Sequence, residues 1–498
     1  MKKIFNHLLS LNLTHAWIGF FLYSCLISLL VQFFILPILF PRFHIGNGLL
    51  DGGDWAFYQN KAVELSHVIR DHGWSNWEIK PDGFGIVGLM TAIYSFLGIY
   101  EPYVLIPFFS ILHSVGAISI VLLIEKLGVN RATSILSSIP FLIFPSSLMW
   151  VTQILKDIFS INGSLLILLG LTGTLSLINK VNIKFKLMNL IWSYSLIFIG
   201  FVLIWIVRPY FVSISLIFTF VIFTIINFYF IFYIFKKKFN FLLILCNLFL
   251  QIISLTSINQ LSEFIKKDFD ENAIFGAIPS PVLNDNLIDL DSQDYSTQEL
   301  KNNLSLQSSD EPLVDHSIDV SQPKLFFKDW SSSNYLPSII DNEFKKLYLQ
   351  RIYFYQVQYK ANSTFDLDID LSSFTKLVLY APRAVQIAFF SPFPSSWLAE
   401  HPSQLSKLMH LINGFEMIII YFCFIGFIFS IALWKRKIEF WIFVSFSFFY
   451  SLVPTYALPN MGALIRYRYA AIMILVALGI CAMLHIYNKK LYENNEIN

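Results

Sequence analysis

The feature that most constrains this chain is the recurrence of uncharged apolar runs of roughly 20 residues, each able to cross a hydrocarbon layer of about 30 Å as a helix. Inside lipid every backbone N–H and C=O must be satisfied within the protein, and continuous apolar runs of this length specify helices rather than the alternating strands of a barrel. Candidate spans lie near 15–40, 102–124, 131–148, 157–178, 187–207, 209–235, 239–258, 409–434, 438–456 and 466–487. The fold class expected is therefore an all-α integral membrane bundle of about ten transmembrane helices. The first span follows Met1-Lys-Lys3, is too long for a signal-peptide core and lacks a small-x-small cleavage site, so it is expected to be an uncleaved signal anchor.

An eleventh apolar stretch, Gly83 to Gly98, is short for a span and ends in Gly-Ile-Tyr-Glu-Pro. If it does not cross, Lys126/Arg131, Lys180/Lys184/Lys186, Lys236-Lys-Lys238, Lys435-Arg-Lys437 and Lys489-Lys490 all fall on the side of the N-terminal lysines, as the positive-inside rule requires. If it crosses, all five clusters move outside. Gly83–Gly98 is thus expected to be a juxtamembrane or re-entrant helix, with both termini cytoplasmic and the working face extracytoplasmic. The chain then divides into an N-terminal transmembrane module, 1–258, whose first loop is 41–101; an extracytoplasmic segment, 259–407; and C-terminal transmembrane helices, 408–498. Within the middle segment, 268–320 is acidic and polar, the composition of a flexible surface loop. The part from 335 to 400 is expected to be amphipathic and interfacial: helical from Leu336 to Phe354, then broken by the prolines of Tyr380-Ala-Pro-Arg-Ala384 and Ser391-Pro-Phe-Pro-Ser395. No internal repeat is visible.

In a chain that is 56% hydrophobic and only 14% charged, carboxylates at the mouth of a span are candidates for chemistry. Leu49-Leu-Asp-Gly-Gly-Asp-Trp-Ala-Phe-Tyr58 puts Asp51 and Asp54 directly after the first span. The spacing from Asp54 to Leu65 allows a helix with Asp54 at or near its N-cap, and capping alone explains one acid. It does not explain two acids flanking Gly-Gly. Cys25, Cys246, Cys423 and Cys481 lie inside apolar runs and offer neither a disulfide framework nor a CxxC site. Nothing in the charge pattern suggests nucleic acid as a partner.

Asp54…Tyr58…Ala62 in the first outer loop, Pro81-Asp-Gly-Phe-Gly…Phe96-Leu-Gly98 after it, Phe144-Pro145, and Lys156-Asp157 at the outer start of a span together resemble the GT-C superfamily of polyprenyl-phosphate-sugar-dependent glycosyltransferases, which includes bacterial protein O-mannosyltransferases and lipid A aminoarabinose transferases. The resemblance covers about the first 210 residues. It departs from the superfamily at Lys80-Pro81-Asp82, where a His-Pro or Pro-Pro pair is usual. The resemblance implies a GT-C-like bundle with extracytoplasmic juxtamembrane helices in a bacterial inner membrane. It also implies an inverting transfer from a polyprenyl-phosphate-linked donor to an extracytoplasmic glycan, lipid or protein acceptor. Asp54 would be the general base, with Asp51 as a supporting acid and Asp157 as a second-loop partner.

The departing phosphate needs cations, and the outer-face candidates are Arg208, Arg383, Arg466 and Arg468, whose guanidinium planes suit phosphate. Any one arginine at a span end is equally explained by snorkelling to headgroups, but four on one expected face are harder to explain that way. Tyr58, Trp55, Trp74 and Trp77 are candidate acceptor or sugar contacts, against the competing role of aromatic belts. His44, His67 and His72 lie near Asp51, but histidines five apart share no helix face well, so no metal or other cofactor is expected and a divalent ion is the alternative. Two other functions fit the same composition. An O-antigen or exopolysaccharide polymerase or ligase also relies on outer arginines. A lipid-linked sugar transporter or flippase would favour charged, broken helices at the midplane and repeated halves.

Overall fold

The computed structural model describes residues 11–175, 183–236, 245–256, 258, 328–358, 363–398 and 404–496. The acidic stretch 268–320 lies outside the described residues. Helix α1 is Leu13–Leu30, opened by the Asn12 side chain accepting from the Thr14 N–H and continued by a π-helical stretch, Val31–Leu39, around Pro37. A two-stranded ribbon follows, β1 His44–Gly46 with β2 Leu49–Leu50, then α2 Asp54–His72 and α3 Gly85–Leu97. The bundle continues with α4 Ile106–Glu125, α5 Arg131–Ile143, α6 Pro145–Thr152, α7 Asp157–Gly173, α8 Ile183–Val207, α9 Pro209–Lys236 and α10 Leu245–Thr256. It closes with α11 Ser338–Gln358, α12 Phe374–Phe390, α13 Gln404–Trp434, α14 Ile438–Ala457 and α15 Met461–Glu496.

Among the described residues, seven helical segments are long and apolar enough to cross a membrane, and an eighth if α5 and α6, bent by 66° at Phe144-Pro145, form one span. Pro145 begins α6, where its missing N–H costs nothing. The expected spans near 157–178 and 239–258 are the shorter helices α7 and α10. At 17 residues α7 is about 25 Å long, less than the hydrocarbon thickness. It is nonetheless buried along nearly its whole length. Gly163 and Gly200 lie at its crossing with α8, where a Cβ on either glycine would meet the other's carbonyl oxygen. Small residues let the two backbones approach this closely.

Helix α3 has 13 residues, about 20 Å, too short to cross. It packs on α2: the Tyr94 hydroxyl donates to Gln59 Oε1 at 2.5 Å, and the Ser66 hydroxyl reaches both the Ala62 and Thr91 carbonyls. The expected break at Tyr380–Ala384 is not observed, because Pro382 sits inside the continuous helix α12. The carbonyl that Pro382 cannot serve belongs to Val378, an exposed residue, so no buried acceptor is orphaned. Helices α11 and α12 share a small core with Leu464, and the chain at Ser363–Phe365 bonds to Pro459 and Met461 at the head of α15.

The two ends of the bundle hold different groups of side chains. At one end Arg131 pairs with Glu125 and the Lys437 ammonium donates to the Leu127 carbonyl at 2.8 Å, joining two of the basic loops. At the other end lie the first loop, the turn 153–156, the α8–α9 junction and the start of α15.

Candidate functional site

Four of the expected site residues, from chain segments far apart in sequence, meet at that second end. Asp54 is the first residue of α2, with Gly53 as its N-cap. Asp54 thus stands next to the N-cap, as its spacing allows, and its carboxylate is not spent on capping. Gly52 has φ +73°, and a Cβ on Gly53 would overlap the Trp55 ring, so both glycines are needed to deliver Asp54 here. The loop is pinned to the turn at 153–156: the Leu50 N–H donates to Gln153 Oε1 at 3.0 Å, the Gln153 amide donates to the Gly48 carbonyl at 3.2 Å, and the Trp55 indole donates to the Leu50 carbonyl.

Arg466, in the second turn of α15, donates to Asp54 Oδ2 at 3.3 Å and approaches Asp157 Oδ2 at 4.0 Å. Asp157, the first residue of α7, is fully buried and pairs with the buried Arg208 at the α8–α9 junction. The Arg208 guanidinium stacks 3.8 Å from the Tyr467 ring centroid, and the Tyr467 and Tyr210 hydroxyls are hydrogen-bonded to each other. Lys156 lies 6.0 Å over the Tyr58 ring. Lys80 donates to the Trp205 carbonyl at 2.7 Å and sits 3.5 Å over its indole.

Two carboxylates thus meet two guanidiniums and the Lys156 amine at the edge of an apolar bundle, a set of cationic groups suited to an anion. Arg208 Nε and Nη1, the Trp205 indole N–H and Asp157 Oδ2 are buried and make no hydrogen bond among the described residues. Such groups cost free energy unless a partner arrives. Burial holds the Lys80 ammonium down at about 7, and burial together with the nearby Arg208 lowers Lys156. Burial, then the Asp54 and Asp157 carboxylates, push the Tyr58 phenol up, so it stays protonated and is no base. The Asp54 side chain, 53% exposed, is the accessible carboxylate of the group.

The other expected site residues take no part in these ion pairs, although Tyr58 borders them. The Asp51 side chain is exposed and takes no part in these ion pairs, while its N–H donates to the Phe43 carbonyl at 2.8 Å. Trp55 is buried beneath the loop, and Tyr58 packs against Phe57 and Phe84. Trp74 and Trp77 follow the far end of α2 and are exposed, the Trp77 indole donating to the Gly88 carbonyl at 2.9 Å, and neither joins the ion pairs. Arg383 is paired with Asp366, which also accepts from the Tyr380 hydroxyl at 2.9 Å. Burial opposes ionisation of Asp366, but these donors outweigh it and hold its carboxyl below the usual range. Arg468 is buried on another face of α15 and gives its Nη atoms to the carbonyls of Ile387, Ala388 and Ser391, fastening α15 to the end of α12. The His44 ring accepts from the Gly48 N–H at 2.9 Å, His67 packs on Tyr100, and among the described residues no three His, Cys, Asp or Glu side chains are grouped to hold a metal.

Lys80, Gln153, Tyr210 and Tyr467 were not expected at the site. The one sequence signal for Lys80 is its place directly before Pro81, where the chain departs from the superfamily it resembles. No family model, no curated protein and no solved structure matches the chain.

Proposed function

We propose that this protein is an inverting membrane glycosyltransferase of GT-C type, moving a sugar from a polyprenyl-phosphate donor to a glycan, lipid or protein acceptor at the extracytoplasmic face of a bacterial inner membrane. The observation that carries the reading is one accessible carboxylate, Asp54, paired with Arg466 in the same cluster as the buried Arg208, which keeps two unused N–H donors. In this reading Asp54 takes the proton of the acceptor hydroxyl, whose oxygen attacks the anomeric carbon. The bond from that carbon to the phosphate oxygen breaks, and the electron pair leaves with the polyprenyl phosphate. Arg208 and Arg466 stabilise the charge that develops there, as preorganised cations in a water-poor site do. Asp157, sealed from solvent, acts by holding Arg208 in place.

The contact that joins the Lys126/Arg131 and Lys435-Arg-Lys437 loops supports the orientation, since an end that gathers basic loops suits the cytoplasm. The test is to reconstitute the purified chain in liposomes with a labelled set of polyprenyl-phosphate sugars and candidate acceptors. Release of polyprenyl phosphate by the wild type and not by Asp54→Asn supports the proposal. Movement of lipid-linked sugar across the vesicle with no polyprenyl phosphate released would replace it with a transporter.

A further inference from the structure

In the charged cluster each acid has a cation of its own: Asp157 is sealed with Arg208, and Asp54 is met by Arg466. The Lys156 ammonium is left over. Although Lys156 and Asp157 are adjacent in sequence, the Asp157 carboxylate turns to Arg208, while the lysine side chain turns to α2 and lies over the Tyr58 ring. Tyr58 stands one helical turn beyond Asp54, so the lysine rests on the face of α2 that carries Asp54. Among the described residues the Lys156 ammonium makes no hydrogen bond and no ion pair. Its backbone is fixed on both sides, by Gln153 tied to the first loop and by Asp157 at the start of α7.

The three cations of the cluster differ in what each can still do. Arg208 is 2% exposed and lies under the Tyr467 ring, and Arg466 is shared between two carboxylates. Lys156 is half-buried and keeps three unspent N–H donors. Breaking the bond to the anomeric carbon turns a phosphodiester with one negative charge into a monoester that takes on a second. A cation with no counter-ion in the resting protein gains more from that second charge than one already neutralised, which is the differential binding that accelerates a reaction. Resting on the glycosyl-transfer reading of this site, we propose that Lys156 is a further catalytic residue, whose ammonium holds the phosphate that leaves with the polyprenyl chain. Burial, then the Arg208 charge, lower the Lys156 amine from its ordinary value of 10.5, and an arriving phosphate opposes both effects.

The test is to measure binding of undecaprenyl phosphate, with undecaprenol as the phosphate-free control, to the purified full chain in phosphatidylcholine nanodiscs at pH 8 and pH 10. The wild type is expected to prefer the phosphate at pH 8. Lys156→Met is expected to lose about tenfold in affinity for the phosphate and none for the alcohol, the effect of one charge-assisted contact. Between pH 8 and pH 10 the wild type is expected to weaken as its lysine loses its proton, whereas Lys156→Arg, which keeps its charge, holds its affinity. The ionisable groups around Lys156 are Asp54 and Tyr58 of α2, Asp157 of α7, Arg208 and Tyr210 at the α8–α9 junction, and Arg466 and Tyr467 of α15. They are common to the wild type and Lys156→Arg, so the difference between the two reports Lys156. Equal phosphate affinity in the wild type and Lys156→Met overturns the proposal. If that variant does not accumulate, a pH course shared by the wild type and Lys156→Arg overturns it. A wild type that binds the phosphate no better than the alcohol overturns the reading of the whole site, and the role of Lys156 with it.

Discussion

Among single residues, stability and chemistry turn on which charges are sealed and which are open. Asp157 and Arg208 are sealed together, so removing one strands the other. Asp157→Asn is expected to lower stability by about 3–5 kcal/mol, and the double variant Asp157→Asn/Arg208→Met by less than the sum of the singles. Thermal melts of the four proteins in detergent check this. Lys80 carries a pH signature. Its ammonium titrates near 7 in the folded chain, against an ordinary value of 10.5. Between those values the unfolded chain holds a proton that the folded chain has released, so stability rises with pH across that window. Melting temperature measured from pH 7 to pH 10 is expected to climb more steeply in the wild type than in Lys80→Met. A parallel course in both would show that burial does not depress the Lys80 ammonium.

At the scale of elements, the close crossing of α7 and α8 depends on glycines. Gly163→Val would drive a side chain into the Gly200 carbonyl and is expected to cost about 1–3 kcal/mol, readable as a drop in melting temperature, whereas Gly19→Val, with open space around it, should cost little. The elements were largely legible in the sequence, because unbroken apolar runs and basic loops are strong local signals. Leu13–Leu39, Pro102–Glu125 and Ile438–Ala457 stand within a few residues of their expected bounds. Pro382 was not legible as a helix-interior proline, since its tolerance depends on the exposure of Val378. The site was legible in part. Asp54, Asp157, Arg208 and Arg466 were each nameable from their places at span ends, but their mutual pairing is set by how the helices pack. The same packing sends Arg468 to the carbonyls at the end of α12, a difference of two positions along one helix that carries no local signal.

At the scale of the whole molecule, the bundle has one end where basic loops join and another where ion pairs gather. Reporters fused after Gly98 and after Gly128 are therefore expected on opposite sides of the membrane, the first outside and the second inside, and a shared side would break this topology. The bundle brings four distant segments together in one charged cluster, and the proposal is that Asp54 there is the base of a glycosyl transfer. The most direct measurement is mass spectrometry of cell-surface glycans from a strain lacking the gene, complemented with the wild type or with Asp54→Asn at equal membrane abundance. The account predicts that deletion removes a sugar residue, that the wild type restores it, and that Asp54→Asn falls short by about 10²-fold or more, as loss of a general base does. Full restoration of the glycan by Asp54→Asn would contradict it.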